Sequence, residues 1–406
     1  MDINKNKPLT MHIDLNSAFA SAEQQANHLL RGKPLAIGAY TSPKSIVISP
    51  SIEAKRMGVK TTMRIMDARL LCPNLIVRAP HYDLYEDIYV RLGKLFKDYS
   101  NKVSALSVDE AVIDYKETPS LDLVSIAKEI KYRLKTEIGD WLQCNIGIST
   151  NRFLGKLGAS FNKPNGLTVI DHKNLLDVYQ KVSLTDLSGI AERYKERLNN
   201  HGIFTPTQFL KADLITLKKF VFKSIVGFYW HQRLRGIEID DVLHPRGTYG
   251  HDYSLKRKTD DPRELCKLLM KLCEKTGRRL RKNGYKASGV HLWIGFADHT
   301  GWHKGKKFDT EIYSTSDIYK RIIWLLNQAP RDVVASIGVS VFDLERKSLQ
   351  ESLFDYREDQ VEEARDELNN RYGEFKVIPA TMMGLEDTII HRVSFGSAKD
   401  IEDLYN

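Results

Sequence analysis

A chain of 406 residues is long enough for about two or three domains, each with its own hydrophobic core. Hydrophobic residues make up 42% of the chain and charged residues 28%, with 25 Gly and 13 Pro, a composition that excludes collagen-like, low-complexity and wholly disordered proteins. The four cysteines form no Cys-x-x-Cys pair, so we expect neither a disulfide framework nor a zinc site.

The formal net charge of +9 is unevenly distributed along the chain. Residues 251–331 contain 18 lysines and arginines against 9 acidic residues, whereas residues 351–406 contain 6 basic and 14 acidic residues. This pattern is expected when one module binds a polyanion and the tail serves another purpose, although a solvated basic face without a partner would look the same. The N-terminal sequence MDINKNKPLT has no apolar signal-peptide core, which predicts a cytoplasmic protein.

The first 172 residues predict one α+β domain with an inserted subdomain. Apolar residues alternate over residues 8–14, which predicts a half-buried strand, and residues 17–30 predict a helix. The later predictions are a strand–turn–strand at 35–49, helices at 51–57, 82–99, 120–137 and 152–160, and strands at 103–108, 111–115 and 145–149. This order indicates an α+β domain in which residues near 26–84 are the insertion.

The remainder of the chain divides into three further segments. Residues 173–240 predict short helices only, and residues 246–345 return to a mixed α/β pattern. In that second segment we predict helices at 262–282 and 315–329 and strands at 290–296 and 336–342. A last helix is predicted near 358–371.

Acidic residues stand at the ends of predicted strands in the first domain. Asp14 closes an apolar strand, and Asp109 and Glu110 lie between two others. Converging carboxylates can bind Mg²⁺, and two such ions about 3.5–4 Å apart could activate an attacking hydroxyl and stabilise leaving pyrophosphate. The alternative is that Asp14 caps the following helix and that Asp109 and Glu110 form a solvated turn.

Five motifs follow one another along the chain: residues 13–23 (IDLNSAFASAE), 52–60 (IEAKRMGVK), 107–114 (SVDEAVID), 146–156 (IGISTNRFLGK) and 162–166 (NKPNG). In this order they resemble the motifs of the Y-family (translesion) DNA polymerases, in particular those of the UmuC-type branch. The resemblance covers residues 8 to about 385. It implies an α+β multidomain, right-hand polymerase fold with a palm at 1–25 and 85–172, fingers at 26–84, a helical thumb at 173–245, an α/β little finger at 246–345 and an acidic tail at 346–406.

The resemblance also implies a site. Asp14, Asp109, Glu110 and the Leu15 carbonyl would bind two Mg²⁺ ions, for which Mn²⁺ could substitute. Phe19 stands where the family has its steric gate, a ring that would clash with a ribonucleotide 2′-hydroxyl. Lys163 and Lys55 stand where relatives contact the triphosphate. Ile52 replaces a tyrosine found in many relatives, so one phosphate contact is lost or supplied elsewhere, for example by Ser49 or Arg56.

Other segments are similar to DNA-holding modules. Residues 187–205 resemble a helix–hairpin–helix, whose turn lets backbone N–H groups approach a phosphate. Gly189 is present in that turn, but Ala191 replaces its second glycine, and a plain helix turn is the alternative. In the little finger we predict backbone contacts from Lys256, Arg257, Lys258, Arg278, Arg279, Arg281 and Lys282.

The start of the tail resembles a docking peptide. Gln350, Leu353 and Phe354 match the short segment by which bacterial polymerases bind a sliding clamp. The resemblance as a whole implies a monomeric, low-fidelity enzyme that uses primer–template DNA and deoxynucleoside triphosphates, bypasses damaged bases and associates with the bacterial nucleoid. A catalytically silent DNA- and clamp-binding protein and a palm-domain nucleotidyl cyclase are the alternatives.

Overall fold

The structure is a computed structural model that describes residues 2–242, 246–347, 356–385 and 388–389. The described chain forms two compact units, one containing residues up to 242 and the other the described residues from 246 onwards. No helix among these residues is both long and apolar enough to cross a membrane.

The described part of the first unit contains two sheets. One has five strands in the order β5-β6-β1-β7-β8, and the other has three in the order β3-β2-β4. The strands are β1 (Thr10–Leu15), β2 (Leu35–Gly38), β3 (Val47–Pro50), β4 (Ile76–Arg78), β5 (Val103–Ala105), β6 (Glu110–Asp114), β7 (Cys144–Ser149) and β8 (Leu167–Val169).

Ten α-helices accompany these sheets within residues 2–242. They are α1 (Ala18–Ala26), α2 (Ile52–Arg56), α3 (Ile65–Leu71), α4 (Tyr82–Lys97), α5 (Leu123–Arg133), α6 (Arg152–Ser160), α7 (Leu175–Gln180), α8 (Glu192–Asn199), α9 (Pro206–Lys211) and α10 (Val226–Arg233). Short 3₁₀ turns lie at His28–Leu30 and Leu184–Asp186, and π turns at Leu134–Ile138 and Thr216–Val221. The predicted strand 8–14 and helix 152–160 are confirmed.

Strand β1 is the middle strand of the larger sheet and is buried on both faces. Met11, Ile13 and Leu15 pack into the main hydrophobic core with α1 and α4. On the other face, α6 approaches β7 closely because Gly147 has no side chain, since a Cβ there would lie 2.0 Å from the Gly155 carbonyl oxygen. A larger residue at 147 would therefore push the helix off the sheet.

The smaller sheet and the helices after β8 have cores of their own. Val47, Ala54 and Ile65 form the core between the three-stranded sheet and helices α2 and α3. Helices α7 to α10 pack together around Phe209 and Trp230. Because Phe153 of α6 stacks edge-on against Trp230 at 5.3 Å between ring centroids, the helical segment is attached to the larger sheet through α6.

The second unit is an antiparallel sheet in the order β11-β10-β12-β9, with helices packed on one face. Its elements are β9 (Thr248–Thr259), α11 (Pro262–Lys282), β10 (Tyr285–Phe296), β11 (Gly301–Ile312), α12 (Thr315–Leu326), β12 (Val334–Arg346) and α13 (Tyr356–Tyr372), with a 3₁₀ turn at Ala380–Met382. Helix 262–282 is confirmed, but β9 and β11 were not predicted. Strand β11 is exposed along almost its whole length, so it lacks the apolar alternation that indicates a strand.

Helix α13, from the acidic tail, packs against α11 through ion pairs. The guanidinium of Arg281 is bonded to both carboxylate oxygens of Asp366, at 2.6 and 3.0 Å, and lies 3.0 Å from Glu362. Burial disfavours its charge, but the bonds to Asp366 and the surrounding carboxylates outweigh burial, so the pKa of Arg281 is raised. Part of the basic segment is therefore neutralised within the unit itself.

This packing corrects part of the DNA-contact prediction. The Arg281 side chain is 2% exposed, and a side chain enclosed by carboxylates in this way cannot reach a phosphate. Arg278 is mostly buried as well, with Asp366 and Glu374 each 3.6 Å away. Arg279 is half-buried and donates to the Gly250 carbonyl. Charge along a sequence does not distinguish cations that face solvent from cations that face an acidic helix.

Replacing Arg281 by methionine should destabilise the second unit by about 3 kcal/mol, because Asp366 would lose the guanidinium that binds both its oxygens and Glu362 would lose one of its arginine partners. Native-state hydrogen exchange of α11 and α13 in the full chain measures the effect. Lys282→Met is the matched control, since Lys282 is exposed. Equal exchange in the two variants would show that the Arg281 ion pairs do not hold the helices together.

Candidate active site

A cleft of about 480 Å³ opens in the first unit where β1, β3 and the loop before β6 meet the start of α1. Its volume is in the range of small-molecule sites. Apart from Arg56, the residues predicted from the sequence for metal or nucleotide binding line it: Asp14, Leu15, Phe19, Ser49, Lys55, Asp109, Glu110 and Lys163.

Strand pairing brings the carboxylates together. Antiparallel β1 and β6 place Asp14 directly opposite Glu110. The Leu15 N–H donates to the Asp109 carbonyl at 2.9 Å, which fixes the loop before β6 against the end of β1. Residues about a hundred positions apart in sequence are thus neighbours at one edge of the sheet.

The electrostatics at Asp109 show that negative charge is crowded in the cleft. Burial, helped by the charges of Glu110 and Asp14, raises the pKa of Asp109 to about 6, against the lowering effect of a 2.6 Å hydrogen bond from the Ser107 hydroxyl. Neighbouring carboxylates that repel one another are stabilised by a bound cation.

Two lysines neutralise the other two carboxylates. Lys163 Nζ lies 2.6 Å from Asp14 Oδ2, and Lys156 Nζ lies 2.7 and 2.9 Å from the two Glu110 oxygens. In this arrangement, no three acidic, histidine or cysteine side chains in the described part of the chain are gathered into a metal site. The oxygen ligands nevertheless suit a hard divalent cation, and both lysine contacts show that positive charge is stable at these positions.

His12 lies beneath the carboxylates on β1. Its side chain is fully buried, and its Nε2 is 3.9 Å from Glu110 Oε2. Burial, followed by the charge of Lys156, lowers its pKa to about 3, so the ring is neutral at physiological pH. Neither ring nitrogen has a hydrogen-bond partner among the described residues. His12 therefore adds no positive charge to the site.

Phe19 forms one wall of the cleft. It lies on α1 and is 6% exposed, and its ring centroid is 4.4 Å from that of Tyr85. The Tyr85 hydroxyl donates to Glu23 Oε1 at 3.1 Å, which ties α4 to α1 behind the phenyl ring. Phe19 is consequently backed by rigid packing and cannot easily move away from a group that presses on it.

Polar and cationic groups line the side of the cleft formed by the smaller sheet. Burial lowers the pKa of Lys55, and the positive charge of Lys163 lowers it further, so positive charge is crowded on this side of the cleft. Ser49 lines the cleft, whereas Ile52 and Arg56 are not among the described residues that do so. Thr61 and Thr62 also line it and were not predicted. Their hydroxyls are candidates for the contact that Ile52 cannot make.

None of the predicted DNA-binding residues that the structure describes is among the residues lining the cleft. Gly189 has a φ of 100°, which suits the turn that precedes α8, and Ala191 is the N-cap of that helix without a side-chain cap. In the second unit, Lys256, Arg257 and Lys258 are exposed on edge strand β9, and Lys282 is exposed at the end of α11. Gln350, Leu353 and Phe354 lie outside the described residues.

Sequence reasoning missed Lys156 and Asn16 as site residues. Both occur within motifs that carried the resemblance, but neither has a signal of its own. Lys156 reaches Glu110 only because α6 packs tightly on the sheet, and that depends on contacts between distant segments. No role was predicted for Asn16, which lies between Asp14 and Phe19 in the first motif.

Comparison with known proteins matches both units to one family. Residues 13–160 match the impB/mucB/samB family, and residues 246–353 match the C-terminal domain of that family. DNA polymerase IV 1 of Bacillus subtilis (strain 168) is 30% identical over 379 residues, which cover 90% of this chain and 91% of that protein. DNA polymerase IV of Bacillus anthracis is 29% identical over 383 residues, covering 91% of this chain and 92% of that protein.

Solved structures share the fold. A Y-family DNA polymerase chimera of Dbh and Dpo4 superimposes with a TM-score of 0.73 and 24% identity, covering 84% of this chain and 100% of the other. The insertion ternary complex of Dbh DNA polymerase gives a TM-score of 0.58 with the same identity and coverage.

Proposed function

The chain belongs to the impB/mucB/samB family and is a bacterial Y-family DNA polymerase, and we propose that it extends a primer 3′ end on a DNA template by two-metal-ion nucleotidyl transfer. One observation carries the proposal. Three carboxylates, two lysines and an aromatic wall from distant parts of the chain line a single cleft.

Asp14, Asp109, Glu110 and the Leu15 carbonyl would hold two Mg²⁺ ions, which when bound activate the 3′-hydroxyl and neutralise charge on the leaving pyrophosphate. Neighbouring groups of the chain determine the charge state and the partners of these oxygen ligands before a metal binds. The raised pKa of Asp109 means that the carboxylate must lose its proton before it can bind a cation. Lys156 and Lys163 form ion pairs with Glu110 and Asp14, the other two carboxylates.

Lys163 and Lys55 bind the triphosphate in this proposal. Both lie on the cleft wall, and each is a flexible point charge that suits a phosphate. Since Lys163 contacts Asp14 through a single carboxylate oxygen, it can exchange that partner for a phosphate oxygen.

Phe19 selects the sugar in this proposal. Its packed ring occupies the wall beside the carboxylates, so a 2′-hydroxyl on the incoming sugar would collide with it.

The domains follow the same proposal. The larger sheet with its helices is the palm (1–25 and 85–172), the smaller sheet with α2 and α3 the fingers (26–84), and helices α7 to α10 the thumb (173–245). The second unit is the little finger (246–345), followed by the tail (346–406). Backbone N–H groups near Gly189 and Ala191 would bind DNA phosphates. Lys256, Arg257, Lys258 and Lys282 are exposed and would do so in the little finger.

Family membership supports two finer parts of the proposal, bypass of damaged template bases and low fidelity. Because its substrate would be chromosomal DNA, the protein would act in the bacterial cytoplasm at the nucleoid. A nucleotidyl cyclase would have no use for the second unit, which matches the family's own C-terminal domain, and a catalytically silent protein would have no use for the complete set of cleft residues.

Primer extension with the purified full chain and Mg²⁺ tests the proposed function. We expect template-directed extension on undamaged DNA and insertion opposite an abasic site, with frequent misinsertion. Binding of primer–template without any extension would support the catalytically silent alternative and overturn the proposal.

We also propose that Gln350, Leu353 and Phe354 dock the tail on the sliding clamp. Leu353→Ala combined with Phe354→Ala should leave extension in the absence of the clamp unchanged but abolish stimulation by the clamp, because two apolar anchors would be lost. Extension with and without added clamp protein measures this. Stimulation that persists in the double variant would rule out the docking peptide.

A further inference from the structure

The loop that carries Lys163 has no regular structure to hold it. It runs from Asn162 to Gly166 between α6 and β8, and Asn162 and Asn165 both have left-handed backbone angles, with φ of 54° and 61°. A lysine on such a loop needs external support if its ammonium group is to stay in the cleft. The structure supplies that support from three side chains, Asn16, Asn145 and Lys131.

Asn16 connects the carboxylate end of β1 to this loop. Its Oδ1 accepts a hydrogen bond from the Asn165 N–H at 2.8 Å, and its Nδ2 donates to Asn145 Oδ1 at 3.1 Å. The side chain is almost fully buried. Because Asn16 follows Leu15 directly, the turn after β1 is joined to the Lys163 loop by the bond to Asn165 and, indirectly, through Asn145.

Asn145 holds both ends of the loop. It lies on β7 with 0% exposure, its Oδ1 accepts from the Gly166 N–H at 3.0 Å, and its Nδ2 donates to the Phe161 carbonyl at 2.7 Å. Space here is tight, since a Cβ on Gly166 would lie 2.6 Å from the Phe161 carbonyl oxygen and 2.9 Å from the Asn145 amide nitrogen. The loop can therefore close only over a glycine.

Lys131 fixes the loop from its outer side. Its Nζ donates to the carbonyl oxygens of Asn165 and Gly166 at 2.6 and 2.7 Å. It reaches them from α5. Together, Asn16, Asn145 and Lys131 bond the backbone of residues 161–166 from three separate segments of the chain, namely the turn after β1, strand β7 and helix α5.

Amide side chains suit the hydrogen bonds that Asn16 and Asn145 make to the loop. Asn16 must accept from a backbone N–H and donate to another side chain at once, and a neutral amide has both capacities. A carboxylate at position 16 could accept but not donate, and it would place a further negative charge next to Asp14.

We propose that Asn16, Asn145 and Lys131 are positioning residues that set Lys163 for the triphosphate of the incoming nucleotide, and that Asn16 couples this setting to the metal-binding turn. This inference rests on the proposed function, because it requires that Lys163 binds the triphosphate. The proposal gives Asn16, in the motif of residues 13–23, a role distinct from metal binding.

Steady-state insertion of a single nucleotide by the full chain tests the inference. Asn16→Ala should raise KM for the deoxynucleoside triphosphate about tenfold with little change in kcat, because the contact that Lys163 makes is present in both ground and transition states. Lys131→Met should likewise raise KM, and this substitution removes no buried side chain of the sheet. Lys128→Met, on the exposed face of the same helix, is the matched control and should change nothing.

A double-mutant cycle separates positioning from general support. If Asn16 acts through Lys163, then Asn16→Ala should have no further effect on KM in a Lys163→Ala background. The inference would be overturned if the two substitutions together raised KM by the product of their separate effects. It would also be overturned if Asn16→Ala lowered kcat and left KM unchanged. If Lys163→Ala itself leaves KM unchanged, the proposed role of Lys163 fails instead, so the two failures are distinguishable. Thermal midpoints of all variants confirm that the fold is retained.

Discussion

Asp109→Asn should lower kcat for primer extension by at least about 10³-fold, since a lost metal ligand removes several kcal/mol of transition-state stabilisation. The amide keeps the shape of the side chain and can still accept the hydrogen bond from Ser107, so folding is preserved. Single-nucleotide insertion under saturating Mg²⁺ and substrate measures the loss.

The same substitution should make the metal-free protein more stable at pH 8. The pKa of Asp109 is about 6 in the folded chain against its ordinary value of 3.8. Between these values the folded state binds a proton that the unfolded state has released, so stability falls as pH rises from about 4 to about 6 and stays lower above that. The amide of the variant carries no charge, and this pH dependence should disappear. Thermal unfolding in EDTA across pH 4–8 measures it.

Asp114→Asn is the matched control for both measurements. Asp114 lies at the other end of β6 and pairs with Lys116 at 3.2 Å, and it is not among the described residues that line the cleft. Its replacement should leave kcat unchanged. Retained activity in the Asp109 variant, or an equal loss in the Asp114 variant, would remove the special role given to Asp109.

Phe19→Ala should reduce discrimination against ribonucleotides by about 10²-fold, because the clash that excludes a 2′-hydroxyl disappears with the ring. The expected change lies mainly in ribonucleotide insertion, which should rise, while deoxynucleotide insertion falls modestly as the packing against Tyr85 is lost. The ratio of kcat/KM for matched deoxy- and ribonucleotides measures this selectivity.

The control for Phe19 is another buried phenylalanine of the first unit. Phe153 packs against Trp230 and lies outside the cleft, so Phe153→Ala should cost stability without changing sugar selectivity. Unchanged selectivity in Phe19→Ala, or an equal change in Phe153→Ala, would refute the gate.

The sequence predicted those elements whose apolar pattern is strong. Helix α6 and helix α11 begin and end where the periodicity indicated, and β1 was placed because its alternation continues to Asp14. Strand β11 was missed because it is mostly exposed and polar. A strand of that kind is held in the sheet by backbone hydrogen bonds to the adjacent strand. These bonds do not depend on its side chains, so its composition does not reveal them.

The site was predictable as a set of residues but not as a network. Motifs identified the carboxylates, Phe19, Lys55 and Lys163, and all of them line one cleft. The Glu110–Lys156 pair and the bonds around Asn16 depend on how α6 and the 162–166 loop pack. Arg281 was misassigned because its carboxylate partner lies 85 positions away in sequence.

Anomalous diffraction from crystals of the full chain with primer–template DNA, a non-hydrolysable deoxynucleotide and Mn²⁺ is the most direct test of the metal site. We expect two peaks about 3.5–4 Å apart, coordinated by Asp14, Asp109 and Glu110, with Lys163 moved from Asp14 to the triphosphate. Peaks at other positions, or a cleft with nucleotide bound and both lysine–carboxylate contacts intact, would contradict the account.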